Sequence, residues 1–217
     1  MLPTKPKKIV ALSCSPSTGR NSDTMLDYFI KGVLEESGVE VEKIYLNDIP
    51  FDLYTYENSK GTLPHEKEFA DLINKIRNAD GLVIATPTYN FSVPAHLKNF
   101  IDRIRFIALD LSKKDRFGQP MGLLNHLTTY FLVSGGIATW IQKILFFAFP
   151  PFYLRGVFLY YAAGVYDAYY SGDIRTFENP KILNNCYKKG RKYSYRVKTG
   201  KGNRILERIF WRPMEKA

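Results

Sequence analysis

The chain has 217 residues, 45% hydrophobic and 24% charged, which suits a globular α/β domain, or a domain with an appendage, large enough to bury a substantial core. Its two cysteines, Cys14 and Cys186, lie far apart, which excludes a disulfide framework, a CxxC metal or redox pair and a four-cysteine cluster, and fits a reducing, cytoplasmic compartment. The formal net charge of +10 comes wholly from residues 181–217, with 12 Lys/Arg against 2 Asp/Glu, while residues 1–180 hold 19 of each sign, so the charge describes a terminal stretch and not the main domain.

The first apolar run is too short for a secretory leader and no small-residue cleavage pattern follows it. Residues 8–12, KIVAL, carry a β-branched pair before a turn cluster and read as a buried strand. Over 22–37 the apolar residues Met25, Phe29 and Val33 recur at helical spacing, and Gly38 supplies a stop. Residues 39–46, VEVEKIYL, alternate as a half-exposed edge strand does. Residues 47–64 are irregular, with Pro50, Gly61 and Pro64 as breakers, and 66–79 return to helical spacing through Phe69, Leu72, Ile73 and Ile76.

GLVIA, 81–85, is a second continuous apolar run, as a central parallel strand requires. After the loop TPTYNFSV, Pro94 suits the first turn of a helix predicted to reach about Arg105. A third run, 129–133, stops at Ser134-Gly135-Gly136, and a helix is predicted over 138–148. GVFLYYA, 156–162, is the fourth run, expected to be a strand, and 180–193 gives the last amphipathic helix. The most apolar window, 144–151, is bracketed by Lys143 and Arg155 and broken by Pro150 and Pro151, short of the roughly 20 residues a membrane-crossing helix needs.

Alternating strands and helices predict an α/β fold with a five-stranded parallel sheet covered on both faces. In such sheets ligands bind beyond the carboxyl ends of the strands, where the strand order reverses. Three strand ends carry unusual loops, SCSPSTGRNS, TPTYNFSV and SGG, and are candidates for one shared site. In the first loop, Ser15, Ser17, Asn21, Ser22 and Thr24 offer hydroxyl and amide donors where a helix N-terminus leaves backbone N–H groups unpaired, a suitable cradle for a phosphate. With one glycine, no GxGxxG and no GK[ST], it argues against a Rossmann-type dinucleotide and a nucleoside triphosphate. The same residues also suit an ordinary helix cap, and this loop alone leaves both readings open.

The run TPTYNFSVPAHLKNFIDR, 86–103, resembles the signature of the NADPH-dependent FMN reductase family, within the flavodoxin-like superfamily, through Pro87, Tyr89, Ser92, Pro94, Leu97, Lys98, Asp102 and Arg103. SPS…NSDT resembles that family's phosphate loop, and Ser134-Gly135-Gly136 its third flavin loop. Family members often place an Arg soon after the first serine of the phosphate loop; here Ser17 stands there and the nearest Arg is Arg20. The resemblance implies a flavodoxin-like three-layer sandwich, sheet order 2-1-3-4-5, over residues 1–195, with a basic tail at 196–217 outside it.

It also implies FMN, with the phosphate at Ser15, Ser17, Arg20, Asn21, Ser22 and Thr24. Pro87, Thr88, Tyr89, Asn90, Phe91 and Ser92 would follow the ribityl chain and ring, their N–H groups toward the ring oxygens and N5, with Tyr89 or Phe91 stacked on or edging the ring. Ser134, Gly135 and Gly136 would pass the pyrimidine end, where a side chain would block approach. The implied activity is an FMN-dependent NAD(P)H oxidoreductase that passes hydride via flavin N5 to a quinone, flavin, nitro or azo-type acceptor. The flavin carries the chemistry, so no catalytic side chain and no metal are expected.

A flavodoxin-like electron carrier is one alternative, less suited to a neutral main domain and to the signature loop. A binding module acting through the basic tail on nucleic acid or an anionic surface is another, although no recognised nucleic-acid motif is present. His65, His96 and His126 lack metal-ligand spacing. Cys14 and Cys186 read as packing residues, and Lys98, Asp102 and Arg103 as anchors of a helix or a subunit contact. Region 137–170 holds more aromatics than one helix and one strand need. A homodimer interface is the preferred reading, with an acceptor pocket or a weak membrane contact as rivals.

Overall fold

The computed structural model describes residues 5–115, 117–138, 140–141 and 150–200. Its strands are β1 (Lys7–Ser13), β2 (Val39–Tyr45), β3 (Gly81–Pro87), β4 (Leu109–Lys114), β5 (Pro120–Gly122), β6 (Thr128–Ser134) and β7 (Gly164–Ser171). The helices are α1 (Asn21–Val33), α2 (Lys67–Arg77), α3 (Ala95–Arg103), α4 (Arg105–Ala108), α5 (Pro150–Tyr160) and α6 (Pro180–Thr199). Five strands form one parallel sheet in the order β2-β1-β3-β6-β7, and β4 pairs antiparallel with β5 as a separate excursion. Counting only the strands of the main sheet, this is the expected order, with the reversal between β1 and β3.

Both faces of the sheet are buried, which is why its central strands read as continuous apolar runs. Ile9, Ala11, Val83, Ala85, Tyr130 and Leu132 face α1 and α6. Val10, Leu12, Leu82, Ile84, Phe131 and Val133 face the side of α2, α3 and α5. α1 and α6 touch backbone to backbone: a Cβ on Gly32 would lie 2.0 Å from the Tyr187 carbonyl oxygen, and one on Gly190 2.0 Å from that of Phe29. Only glycine permits this approach.

The fourth apolar run is not a strand. Residues 156–160 end α5, and the fifth strand of the sheet is β7, further along the chain. Pro150 and Pro151 suit a first helical turn, and Leu154 and Phe158, four apart, both reach 0% exposure against the sheet. A run of apolar residues buried on several sides carries no period that separates helix from strand. The helix expected over 138–148 falls for the most part outside the described residues. α6 continues beyond residue 193 to Thr199 and closes on Gly200 at φ 61, while residues 201–217 of the basic tail lie outside the described residues. No described helix is long and apolar enough to cross a membrane.

Candidate functional site

Parallel register brings the carboxyl ends of β1, β3, β6 and β7 side by side: Ser13 pairs with Ala85, Pro87 with Ser134, and Ser134 with Ser171. The loops beyond them are stitched together. Cys14 N–H donates to the Ala85 carbonyl at 2.8 Å, Thr88 N–H to that of Ser134 at 2.7 Å, and Gly135 N–H to that of Ser171 at 2.8 Å. The three loops singled out in the sequence therefore do meet. A fourth, after β7, joins them, and sequence reasoning missed it because it placed the last strand too early.

The first loop is organised by a residue the sequence reading passed over. Asp23, in the first turn of α1 and 2% exposed, accepts the Ser13 hydroxyl at 2.8 Å and the Gly19 N–H at 2.7 Å. Lys43 on β2 adds an ion pair at 2.8 Å and reaches Asp27 at 2.6 Å. Burial pushes the Asp23 carboxyl up, but the Lys43, Gly19 and Ser13 bonds outweigh it and hold it below its usual range. The carboxylate thus closes the loop from below while Lys43 offsets its charge. Gly19 sits at φ 67, a position that favours glycine. The signal for Asp23 was present as an acidic residue in a first helical turn, but its reach to Ser13 and Lys43 is a tertiary fact.

Around this frame the predicted residues divide. Ser15 is buried; its hydroxyl accepts the Ser17 N–H at 3.1 Å, and its carbonyl takes the Asn47 amide at 2.6 Å. Ser17 and Arg20 are exposed, and the Arg20 guanidinium lies 5.7 Å from the Phe177 ring centroid. The Asn21 amide ties the loop after β7, donating to the Ile174 carbonyl at 3.0 Å and accepting the Phe177 N–H at 3.1 Å. Thr24 donates to the Gly19 carbonyl at 3.3 Å. Ser22 is different: it is 1% exposed and its hydroxyl has no hydrogen-bond partner. Arg20, the residue before α1, supplies no side-chain cap, and the first intrahelical bond runs from Thr24 N–H to the Arg20 carbonyl. The N–H groups of the first turn before Thr24 therefore have no intrahelical acceptor.

The second loop is a two-residue hairpin. Tyr89 and Ser92 exchange both backbone hydrogen bonds at 2.9 Å, and Asn90 and Phe91 between them have φ of 48 and 63. Two consecutive left-handed residues are the mark of a type I′ turn, and Phe is strained there. The turn consumes the N–H groups of Tyr89 and Ser92, and Ser134 takes that of Thr88, so those three point at protein rather than at a ligand. The turn leaves Tyr89 46% and Phe91 57% exposed, while Pro87 is half-buried and the Thr88 hydroxyl, like that of Ser22, is buried without a partner.

In the third loop, a Cβ on Gly135 would lie 2.5 Å from the Tyr170 hydroxyl, so a larger residue there would push on the Tyr170 ring. Gly136 is exposed and a Cβ there would meet only ordinary contact at 3.6 Å. Ser134 is buried at its strand end.

The histidines serve structure: His96 Nε2 lies 2.8 Å from the Leu46 carbonyl, His126 Nε2 3.4 Å from that of Ile76, and His65 Nε2 3.3 Å from Asp52. Asp52, His65 and Glu66 bring ligand atoms within 4.8 Å of one another, but both oxygens of Glu66 are held by Arg103. Burial pushes the Cys186 thiol up to about 12 and that of Cys14 higher still, so neither is a thiolate near neutrality.

A family model described as NADPH-dependent FMN reductase matches residues 7–147. An FMN-dependent NADH:quinone oxidoreductase of Metamycoplasma arthritidis (strain 158L3-1) is 32% identical over 160 residues, covering 70% of this chain and 79% of the relative. Among solved structures, an azoreductase from Bacillus anthracis str. Sterne superposes with a TM-score of 0.65 at 16% identity, over 87% of this chain and 98% of the other. An FMN-dependent NADH-azoreductase from Bacillus anthracis str. Ames Ancestor, solved in complex with FMN, does so with a TM-score of 0.61 at 20% identity, over 88% and 99%. At these identities the two structural likenesses speak for the fold.

Proposed function

The chain belongs to the NADPH-dependent FMN reductase family, and from that premise we propose that it is an FMN-dependent NAD(P)H oxidoreductase with a quinone or azo-type acceptor. The observation that carries the reading is the buried, partnerless Ser22 hydroxyl in the first turn of an uncapped α1. A buried hydroxyl without a partner costs free energy, and a phosphate at this helix end would supply the acceptor it lacks.

The residues present fit the group. Ser22 and the first-turn N–H groups of α1 would hold the phosphate, with Arg20 at the exposed rim. Asp23 and Lys43 keep the loop in shape beneath it. The buried Thr88 hydroxyl, which has no partner, would be available to the bound group, and Tyr89 and Phe91, exposed on a rigid turn, would help exclude water from it. FMN, when bound, supplies two-electron hydride acceptance and release. With the chemistry carried in this way, the chain needs no side chain of its own as acid or base.

The same reading includes a homodimer through region 137–170, supported by Trp140 and Phe152 at 66% and 38% exposure, and a cytoplasmic setting. Part of the aromatic surplus there is core: Phe158 and Tyr161 are buried, and the Tyr161 hydroxyl donates to the Ile101 carbonyl at 3.0 Å.

The test is an absorbance titration with FMN, followed by anaerobic NADH and NADPH in separate cells and then a benzoquinone or an azo dye. Bound flavin that bleaches with either nucleotide and recovers with the acceptor is the expected result. No flavin retained at micromolar protein overturns it. Sedimentation velocity tests the dimer independently.

A further inference from the structure

Away from the strand ends, edge strand β7 and helix α6 enclose a cavity of about 370 Å³. Tyr130 and Tyr166 contribute from the sheet side. Asn185, Lys188, Lys189 and Lys192, at spacings of three, four and seven, form one stripe of α6 along it. Asp167 is the one carboxylate among its lining residues.

What this neighbourhood lacks is acceptors. The Tyr130 side chain is 1% exposed and its hydroxyl has no hydrogen-bond partner. Two more buried donors beside the cavity have none: Nε of Arg155, whose guanidinium pairs with Asp167, and Nε of Arg196, whose guanidinium lies 5.2 Å from the Tyr166 ring centroid. Asp167 is already shared between Arg155 and Lys189, the latter at 3.9 Å. Lys188 and Lys192 make no ion pair among the described residues. Tyr130 stands four residues before Ser134, roughly 13 Å along the strand from the site described above.

We propose that this cavity binds a phosphoryl anion at a site separate from the strand-end loops. Lysine ammonium groups act as point charges suited to a multiply charged tetrahedral anion, whereas a planar carboxylate is matched best by an arginine fork. The cavity has room for a phosphate and for part of a group that carries it as an ester. Either a soluble phosphate ester or the headgroup of an anionic lipid has this chemistry, and α6 leads into the basic residues beyond it.

The experiment is a titration of the FMN-saturated protein with inorganic phosphate at constant ionic strength, followed by ³¹P line broadening. Flavin absorbance in the same tube reports the strand-end site; if no flavin is retained, the titration is run on the chain as purified, because its dependence on Lys188 and Lys192 decides the matter either way. The expected result is saturable binding, weakened about ten-fold or more in Lys188→Gln/Lys192→Gln. Tyr130→Phe, which keeps the ring, also weakens it, and Lys113→Gln on the β4–β5 excursion leaves it unchanged. Binding that does not saturate, or that is equal in the double variant, overturns the site. Flotation with phosphatidylcholine vesicles, with and without phosphatidylglycerol, separates the sources. Recovery with the anionic vesicles alone, lost in the double variant, assigns a lipid headgroup; saturable phosphate binding without flotation assigns a soluble ester.

Discussion

Arg103 and Glu66 meet as a two-pronged ion pair, Nη1 to Oε1 and Nη2 to Oε2 each at 2.6 Å, with both side chains fully buried. The pair grips the segment between β2 and α2. Glu66 accepts the N–H groups of Asp52 at 2.8 Å and Leu63 at 2.7 Å, and Arg103 donates to the Asp52 carbonyl at 2.9 Å. Asn99, four residues earlier on α3, accepts the Tyr54 N–H at 2.8 Å. The gripped segment leaves the sheet at the strand-end site and exposes Leu53 and Tyr56. Arg103, read from the sequence as an anchor of its helix or a subunit contact, instead holds this segment.

Removing one partner leaves a buried charge alone. Arg103→Met is expected to cost about 3–5 kcal/mol in urea unfolding, and Arg103→Met/Glu66→Met to cost less than the single change, because the double variant buries no unpaired charge. A double variant as unstable as the single one would show that the pair's charges are not what holds the segment.

The pair also sets a pH dependence. Burial alone would push the Glu66 carboxyl up; the Arg103 bonds and the two N–H groups outweigh it and hold it at about 2. A carboxyl depressed in the folded state contributes stability that is complete above its unfolded pKa, about 4.3, and is lost as the pH falls through the folded value. Urea midpoints are expected to stay level on this account from neutrality to about pH 5 and to fall between there and pH 2. In Arg103→Met/Glu66→Met that slope should be shallower.

Ser22→Ala separates ligand binding from folding. Without ligand, the change deletes a buried hydroxyl that has no partner, so stability should hold or rise slightly. FMN affinity should drop about ten-fold, the loss of one charge-assisted hydrogen bond. Fluorescence titration of FMN and a thermal melt of the flavin-free chain measure the two effects. A lower melting temperature with unchanged FMN affinity would mean that the hydroxyl serves the fold instead.

Asp23→Asn acts through the loop. The amide keeps the size and can still accept from Gly19, but it leaves Lys43 with Asp27 alone and removes an acceptor from Ser13. The expected cost is about 1–3 kcal/mol of stability together with weaker FMN binding. Lys43→Met should weaken both in the same direction, since it strands the buried carboxylate. Opposite effects of the two variants on FMN affinity would show direct charge repulsion of the phosphate, not loop geometry.

How much of this was legible follows from what each signal depends on. The strands β1, β3 and β6 and the loops after them could be read because a parallel strand buried on both faces leaves an unbroken apolar run, ended by small or polar residues, and β2 because a half-exposed edge strand alternates. β7 could not, because GVYDAYYS is a partly covered edge strand preceded by a more apolar stretch that turned out to be α5. The roles of Asp23, Asn47, Glu66 and Lys43 depend on partners 10 or more residues away in the chain, as with Ser13 and Asp23 or Arg103 and Glu66, and no local pattern encodes them. Gly135 was read from the sequence as leaving room for the flavin; within the chain, a Cβ there would meet the Tyr170 side chain.

Phe91 offers the sharpest test of the second loop. It occupies the second left-handed position of the hairpin, where glycine costs nothing and other residues lose about 1–2 kcal/mol. Its ring is 57% exposed. A strained aromatic held out beside the strand-end loops is expected where the ring touches a ligand. Phe91→Gly should lower kcat/KM for the nicotinamide or the acceptor, with the urea midpoint measured alongside to separate that loss from a change in stability, and Phe91→Tyr should change neither by much. If Phe91→Gly is fully active, the ring has no part in the site and the turn is merely tolerated.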